Sequence, residues 1–434
     1  MRNSIINCLF FLLFLPLPGK AQVPMTLKNA IDSALLNNFD IRIAKNSFEI
    51  ARINNSYGNA GGLPSINATA GDNKSLYNLK QKTSSGLDIT KDNVKSNSYN
   101  ASVTAGITLF NGFRIIATKK QLNLLQNQSE LMLNQQVQNT MASVMVNYYD
   151  ILRQQSYLNI IKSSLDLSSR KYDIIKERMK VGMANDADLL QAQMDLNQSR
   201  QNLIDQQVII EQDKTGLLQL IGVKKFIDIA INDTILVDRG LQRDTVINFL
   251  DHNPQYLSAE QQVMINEQLV REIRAQRYPS IRLSGGYNFT YSSSAAGFNL
   301  FTQNIGPTVG ATLQVPVFNG TIYKTQQDAA RINVNTAKLQ KESLLNSLKA
   351  DAIKTFQSYK SNLEQLESQR KNYEDAGRLV DIVLQRFRLN ESTILDVKAA
   401  QNSFESAGYT YVNLLYAAKI AEIELKRLIY QLSY

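Results

Sequence analysis

Few residues in this chain are of types that do chemistry, and their spacing limits what that chemistry is. The acidic pairs Asp186/Asp188 and Glu374/Asp375 are the candidates for general acid–base work. Neither pair comes with a nucleophile motif or a glycine-rich pocket loop, and acidic pairs on helix surfaces are ordinarily solvated. The chain holds one His (His252), one Cys (Cys8) and no Trp. Zinc sites of His and Cys, thiol redox chemistry and His-based triads are thereby all but excluded. His252, directly before Asn253-Pro254, reads as a plain helix-start residue. That leaves Asp396, in the first turn of a predicted helix, where the helix dipole favours a carboxylate. If several copies met at an axis, their Asp396 carboxylates would repel one another, raise one another's pKa and attract cations. Asp186 and Asp188 stand in the corresponding region of an earlier helix. Both readings of Asp396, cation-favouring constriction and ordinary helix-start acid, stay open, and an enzyme is not expected.

The composition bounds the elements that must position these residues. The chain has 434 residues, 44% hydrophobic and 20% charged, with 47 Lys+Arg against 38 Asp+Glu and a net charge of +9. These values fit neither a disordered chain nor a bundle of membrane helices. Asn and Gln fill roughly one position in six, as expected where water wets more than one side of a structure. Arg2, the apolar run Ile5 to Leu17 and the small residues around Gly19-Lys20-Ala21 predict a signal peptide over residues 1–21. Cys8 would leave with it. The mild basic excess of an exported chain predicts a solvated surface and no nucleic-acid partner.

The sequence repeats itself. Asn38, Pro64, Ser65 and Ile66 recur as Asn253, Pro279, Ser280 and Ile281. Phe110-Asn111-Gly112 recurs as Phe318-Asn319-Gly320, and that spacing then pairs Arg178 with Arg386, Asp188 with Asp396 and Leu217 with Leu425. Two long halves suit duplication better than a solenoid. A first repeat over 22–222, a linking segment over 223–244 and a second repeat over 245–434 are expected.

Between Pro-Ser-Ile and Phe-Asn-Gly the pattern has period two. Ala101, Val103, Ala105, Ile107 and Leu109 alternate with polar or small residues, as do Ile281 to Tyr291 and Val309 to Val317; Ile66, Ala68 and Ala70 form a weaker run. Four strands of about ten residues are predicted within 65–110 and 280–318, with loops at Asp72–Asn97 and Ser292–Asn304. An apolar face for lipid and a polar face for water fit a membrane barrel; a half-buried soluble sheet is the alternative. Past the leader no apolar run reaches eighteen residues, so a chain that spans a membrane must do so as a closed barrel. Four strands cannot close alone. Two copies would pool eight strands and three would pool twelve.

Helical patterns run unbroken over 113–180 and 321–389, each roughly 100 Å at 1.5 Å per residue. Shorter helices are predicted at 26–57, 185–221, 245–277 and 392–430, so that two short helices end to end match one long one. A narrow seam of Leu189, Leu196, Leu203, Ile210 and Leu217, and of Val397, Phe404, Tyr411, Ala418 and Leu425, recurs every seven residues. Such a stripe suits a helical wall wet on both faces. A rod-like coiled coil has the same pattern but no use for strands.

The order and spacing of these motifs, twice over, resembles the TolC family of outer-membrane channel proteins across essentially the whole mature chain. The resemblance rests on Pro-Ser-Ile, Phe-Asn-Gly and the helix-hairpin turns Arg178 to Gln193 and Arg386 to Gln401. It implies an α+β membrane protein and a homotrimer. The fold implied is a trimeric twelve-stranded β-barrel, four strands per chain, continuous with a long α-helical coiled-coil barrel and built from two repeats, with Lys224–Asp244 in a belt around the helices. It implies the passive outer-membrane exit duct of a tripartite efflux pump or type I secretion system, spanning into the periplasm, which exports small molecules such as drugs and metals, or proteins, and makes or breaks no bond. The implied partners are a periplasmic adaptor and an inner-membrane pump of RND, ABC or MFS type. Residues at the hairpin tips, among them Gly182, Met183, Ala184, Asn390, Glu391 and Ser392, are the implied adaptor surface. Asp396 matches the first of a pair of gate aspartates; the second position is Ala399. Family residues that tie the closed tip are replaced by Phe387 and Ser392. A cell-envelope scaffold or adhesin without a channel is the competing function.

Overall fold

The computed structural model describes residues 23–432; the leader segment and Cys8 lie outside them. In chain order the elements are β1 (Val23–Pro24), α1 (Leu27–Asn37), α2 (Phe39–Asn54), β2 (Ser65–Lys82), β3 (Asp88–Asn111), α3 (Arg114–Lys180) and α4 (Asp186–Leu220). Then come β4 (Ile229–Ala230), α5 (Arg243–Asn248), α6 (Pro254–Ala275), β5 (Ser280–Ser294), β6 (Phe301–Gln314), α7 (Ile322–Arg388) and α8 (Ile394–Leu428). The chain divides into two compact units. One comprises the residues up to Lys45, Met132–Tyr256 and those from Leu344 on; the other comprises Asn46–Leu131 and Leu257–Ser343.

The second unit holds an antiparallel sheet in the order β2-β3-β5-β6. Its strands have 18, 24, 15 and 14 residues, longer than the ten expected. The predicted loop Asp72–Asn97 is instead paired strand, from Asp72↔Tyr99 to Lys82↔Asp88, with a bulge between Tyr77 and Leu79. Likewise β5 and β6 continue to Ser293↔Phe301, leaving only a short turn. The Lys, Asn and Ser of these extensions carry no apolar alternation because both faces are wet; the backbone ladder forms without it. Val315 and Val317, by contrast, fall beyond β6. Ile66, Val103, Leu109, Tyr287, Ile305, Val309 and Leu313 all project exposed from the sheet. Cross-strand pairs Ile66↔Ala105, Val103↔Tyr287 and Leu283↔Ala311 put such residues on one face. Polar pairs occupy the other, with Thr69 Oγ1 2.9 Å from Ser102 Oγ and Asn288 Nδ2 3.0 Å from Thr308 Oγ1. The glycine of Phe-Asn-Gly is required at Gly112, where φ is +68° and a Cβ would lie 2.5 Å from the Ala275 carbonyl oxygen.

The first unit is built around α4 and α8 and the adjoining parts of α3 and α7. The predicted seam residues Leu196, Ile210, Leu217, Val397, Ala418 and Leu425 are buried, and the other four are half-buried. The expected single helix 26–57 is broken at Asn38, and 245–277 at Asn253. Asn38 takes extended backbone and its Oδ1 accepts the N–H groups of Asp40 and Ile41, starting α2. Its Nδ2 donates 2.7 Å to Leu220 O at the end of α4. Asn253 repeats the arrangement, accepting from Gln255 N–H and donating 2.8 Å to Leu428 O at the end of α8. Each Asn thus satisfies groups at two helix termini at once. Within the segment Lys224–Asp244, Ile229–Ala230 pairs in parallel with Val23–Pro24. The segment beyond it is irregular but anchored: Gln155 Nε2 donates to Ile231 O at 3.1 Å, and the Tyr148 hydroxyl donates to Asp233. Burial and that carboxylate push the Tyr148 hydroxyl far up. His252 is exposed, 2.7 Å from Asp251.

Between the seam's apolar clusters lies a buried polar cluster. Lys171 is 1% exposed and donates to Asp195 at 2.5 Å; Lys398 reaches the other oxygen of Asp195 at 3.1 Å. Next to it Gln401 donates to Ser164 and Ser168, and Ser168 meets Ser199 at 3.0 Å. Burial raises the Asp195 pKa, but the two lysine hydrogen bonds outweigh it and hold the carboxyl below its ordinary range. Its contribution is therefore complete above the ordinary carboxylate pKa and is lost as pH falls through the depressed value. Asp195→Asn strands the Lys171 charge and is expected to cost on the order of 3 kcal/mol at neutral pH. Asp166→Asn, which removes an exposed pair with Arg170, should cost under about 1 kcal/mol. Thermal melts followed by circular dichroism test this, with the gap between the variants narrowing as pH falls through the depressed Asp195 value; equal melting at neutral pH would contradict it.

Candidate functional site at the helical hairpin tips

The two helical hairpins end in matching turns. At α3–α4, Met183 N–H donates to Arg178 O at 2.8 Å and Gly182 N–H to Met179 O; at α7–α8, Glu391 N–H donates to Arg386 O at 2.8 Å and Asn390 N–H to Phe387 O. This is the left-handed helix C-cap, with φ +76° at Gly182 and +67° at Asn390. Asn supports it in the second turn because it tolerates that conformation. The helices that follow are capped alike. Asn185 Oδ1 accepts from Asp188 N–H at 2.8 Å, and Thr393 Oγ1 accepts from Asp396 N–H at 3.2 Å.

Asp396 closes the second cap reciprocally, its Oδ2 accepting from Thr393 N–H and Oγ1, each at 2.8 Å. These hydrogen bonds, the backbone one foremost, hold its carboxyl below the ordinary range. Asp396 and Asp188 line one groove of about 610 Å³ with Arg178, Met183, Ala184, Phe387 and Asn390 to Ser392. Of the expected tip residues, Met183, Ala184, Asn390, Glu391 and Ser392 share this groove, and Gly182 does not line it. Asp186 is exposed in the first turn of α4 and lies outside that groove. Ala399 is exposed, so the position that departs from the gate pair presents a methyl group to solvent.

Sequence reasoning missed how the tips are joined. Phe387 is buried among Leu167, Ile175, Ala192, Leu384 and Val397. The Arg178 guanidinium lies 4.4 Å from the Phe387 ring centroid and donates to the Phe387 carbonyl. One side chain thus ties the end of α3 to the end of α7. Its sequence counterpart, Arg386, donates instead to Glu391 O in its own turn, at 3.1 Å. Ser392 Oγ donates to Val383 O at 3.1 Å. No periodicity signals the Arg178 tie; the sequence shows only that Arg recurs at 178 and 386. Around this joint Val181, Met183, Leu389 and Leu395 remain 62–72% exposed. Among the described residues no cluster of His, Cys, Asp and Glu fits a metal ion, and no helix is long and apolar enough to cross a membrane.

With this geometry in view, the profile of the outer membrane efflux protein family matches residues 30–223 and 247–429. The chain belongs to that family. It is similar to the probable outer membrane lipoprotein SilC of Salmonella typhimurium, 23% identical over 403 residues, covering 91% of this chain and 83% of SilC. The cation efflux system protein CusC of Escherichia coli K12 is 24% identical over 415 residues, covering 92% and 85%. Among solved structures, CusC superposes with a TM-score of 0.74 at 19% identity over 94% of this chain and 92% of that one. The Campylobacter jejuni CmeC outer membrane channel gives 0.77 at 16% identity over 93% and 85%. Outer-membrane efflux is accordingly the setting of this chain, and the TolC resemblance of its motifs is a family relationship.

Arg178→Ala should release the tip. Loss of a charged hydrogen bond costs about 1.5–3 kcal/mol, which corresponds to amide exchange about 10- to 100-fold faster around Phe387 and Asn390. Arg178→Lys should recover part of the protection, lacking the planar stack. Unchanged exchange in Arg178→Ala would show that the apolar cluster alone holds the joint.

Proposed function

We propose that three copies form a passive exit duct, each chain giving four strands to a twelve-stranded barrel and its helical hairpins to a periplasmic conduit. One observation carries this: a four-stranded sheet with an apolar face exposed and both edges open. Seven exposed apolar side chains, at on the order of 1 kcal/mol each, rival the whole stability of a typical domain. Facing lipid removes that cost. From Tyr99 to Leu109 the apolar face of β3 extends about 33 Å; at a tilt of about 40° it covers about 25 Å, the height of an outer-membrane barrel's apolar band. Pro307, which lacks an N–H, sits on the edge strand β6, where it is tolerated. Asn100, Ser102, Thr104, Asn288, Thr308 and Thr312 would then line water.

The paired Asn38 and Asn253 joints and the two matched stretches either side of 224–246 support the reading of a duplicated chain. The apolar tip around Gly182, Met183, Ala184, Asn390, Glu391 and Ser392 offers the surface for a periplasmic adaptor, which links the duct to an inner-membrane pump. At the same tip Asp396 is read as the constriction's charge, with Asp188 in the same groove and Asp186 exposed outside it in the first turn of α4. In one chain the Thr393 cap keeps Asp396 ionised; convergence of three would raise its pKa. The related proteins are named for cation, toluene and antibiotic efflux, and the cargo of this duct is small molecules or proteins delivered by the pump.

Planar-bilayer recordings test both parts. The wild type should conduct with a cation preference that fades on acidification through a value above the ordinary carboxylate pKa of about 3.9. Asp396→Asn should reduce that preference severalfold while the trimer persists. No conductance at all would favour an envelope scaffold; conductance with a preference indifferent to Asp396→Asn would leave Asp396 as a helix cap only.

A further inference from the structure

The sheet register places a basic hollow on the outward face just past its aromatic row. Tyr99, Tyr291 and Phe301 cross three strands, with ring centroids 5.7 and 5.2 Å apart. Going toward the β2–β3 turn, the pairs Lys74↔Asn97, Leu76↔Lys95 and Asn97↔Ser293 follow Asp72↔Tyr99 and Tyr99↔Tyr291 at even steps. Lys74, Leu76, Lys95 and Asn97 therefore share the face that carries Tyr99, Val103 and Tyr287. They border a concavity of about 650 Å³, closed on one side by Ser293 to Ala295. Lys74 is 3.7 Å from Asp72, an exposed contact that leaves most of its ammonium to solvent. Lys95 is exposed and forms no ion pair among the described residues. Asn97 donates 2.8 Å to the Tyr99 hydroxyl, while its Oδ1 is shielded from water with no donor.

We propose that this hollow holds the anionic phosphate headgroup of an outer-leaflet lipid. The inference rests on the barrel reading, which puts the aromatic row at the membrane boundary. Lys74 and Lys95 lie about 7 and 13 Å further along the strands, and their flexible stems reach back to headgroup depth. Two cations supply charge for phosphate oxygens. Leu76, 62% exposed in the same patch, covers the start of an acyl chain, which continues over Val103 and Tyr287. A headgroup hydroxyl would complete Asn97 Oδ1. The adjoining apolar band selects a lipid over a soluble phosphate, because only a lipid fills both halves of the surface.

The test uses the full chain in nanodiscs of phosphatidylcholine doped with phosphatidate, with retained lipid counted by native mass spectrometry and conductance recorded from the same preparation. Phosphatidate should be enriched in the wild type. Lys74→Gln or Lys95→Gln should each lower the enrichment about fivefold, and the double variant about 25-fold, at roughly one lysine's worth of anionic-surface attraction apiece, with conductance unchanged. Equal retention by wild type and double variant overturns the proposal. So does displacement of the lipid by millimolar inorganic phosphate alone, which would indicate a free-anion site. Absence of conductance in the wild type would count against the barrel itself and is read separately from lipid retention.

Discussion

A β-sheet edge in contact with hydrocarbon is the constraint on which the rest of this structure depends. The free edge of β6 alone, 14 residues long, turns about half its backbone polar groups away from β5. Each such group costs several kcal/mol in a bilayer core, so an open edge there is worth tens of kcal/mol, more than any domain's net stability. The apolar face demands lipid and the edges forbid it, unless another strand covers them. Four strands cannot curl far enough to meet each other, and on the proposed reading sister chains supply the missing ladder.

Much of this was legible in the residues. The four long helices begin and end within one or two residues of their sequence patterns because seam periodicity, glycine at 182 and the caps at 185 and 393 all agree. The strand cores were legible through Val103, Tyr287 and Val309, whose alternation reports a one-sided environment. The strand extensions were not. Lys, Asn and Ser on both faces give no period, although the backbone pairs there as well as in the core. The kinks at Asn38 and Asn253 were hidden because an Asn inside an apolar pattern says nothing about which carbonyl it will meet 182 or 175 residues away.

At the tips the hairpin turns were legible in the sequence, but the bond between hairpins was not. Arg178 and Arg386 are equivalent in the repeat yet serve different ends, one reaching Phe387 across the joint and the other closing on Glu391. The two arginines stand at matching positions of the sequence, and it is Arg178 that lies against the buried Phe387 ring. The Lys171–Asp195 pair is similar in kind: a buried charge invisible to periodicity, since Lys171 falls where a helix wall is ordinarily wet. Both features fix how α3, α4, α7 and α8 pack against one another.

The account is most directly tested by the mass of the intact assembly. Native mass spectrometry of the mature chain released from detergent should give three copies, with no monomer stable once detergent is withdrawn. A single chain that stays folded and monomeric in plain buffer would show that the sheet edges need no sister strands, and would contradict the account.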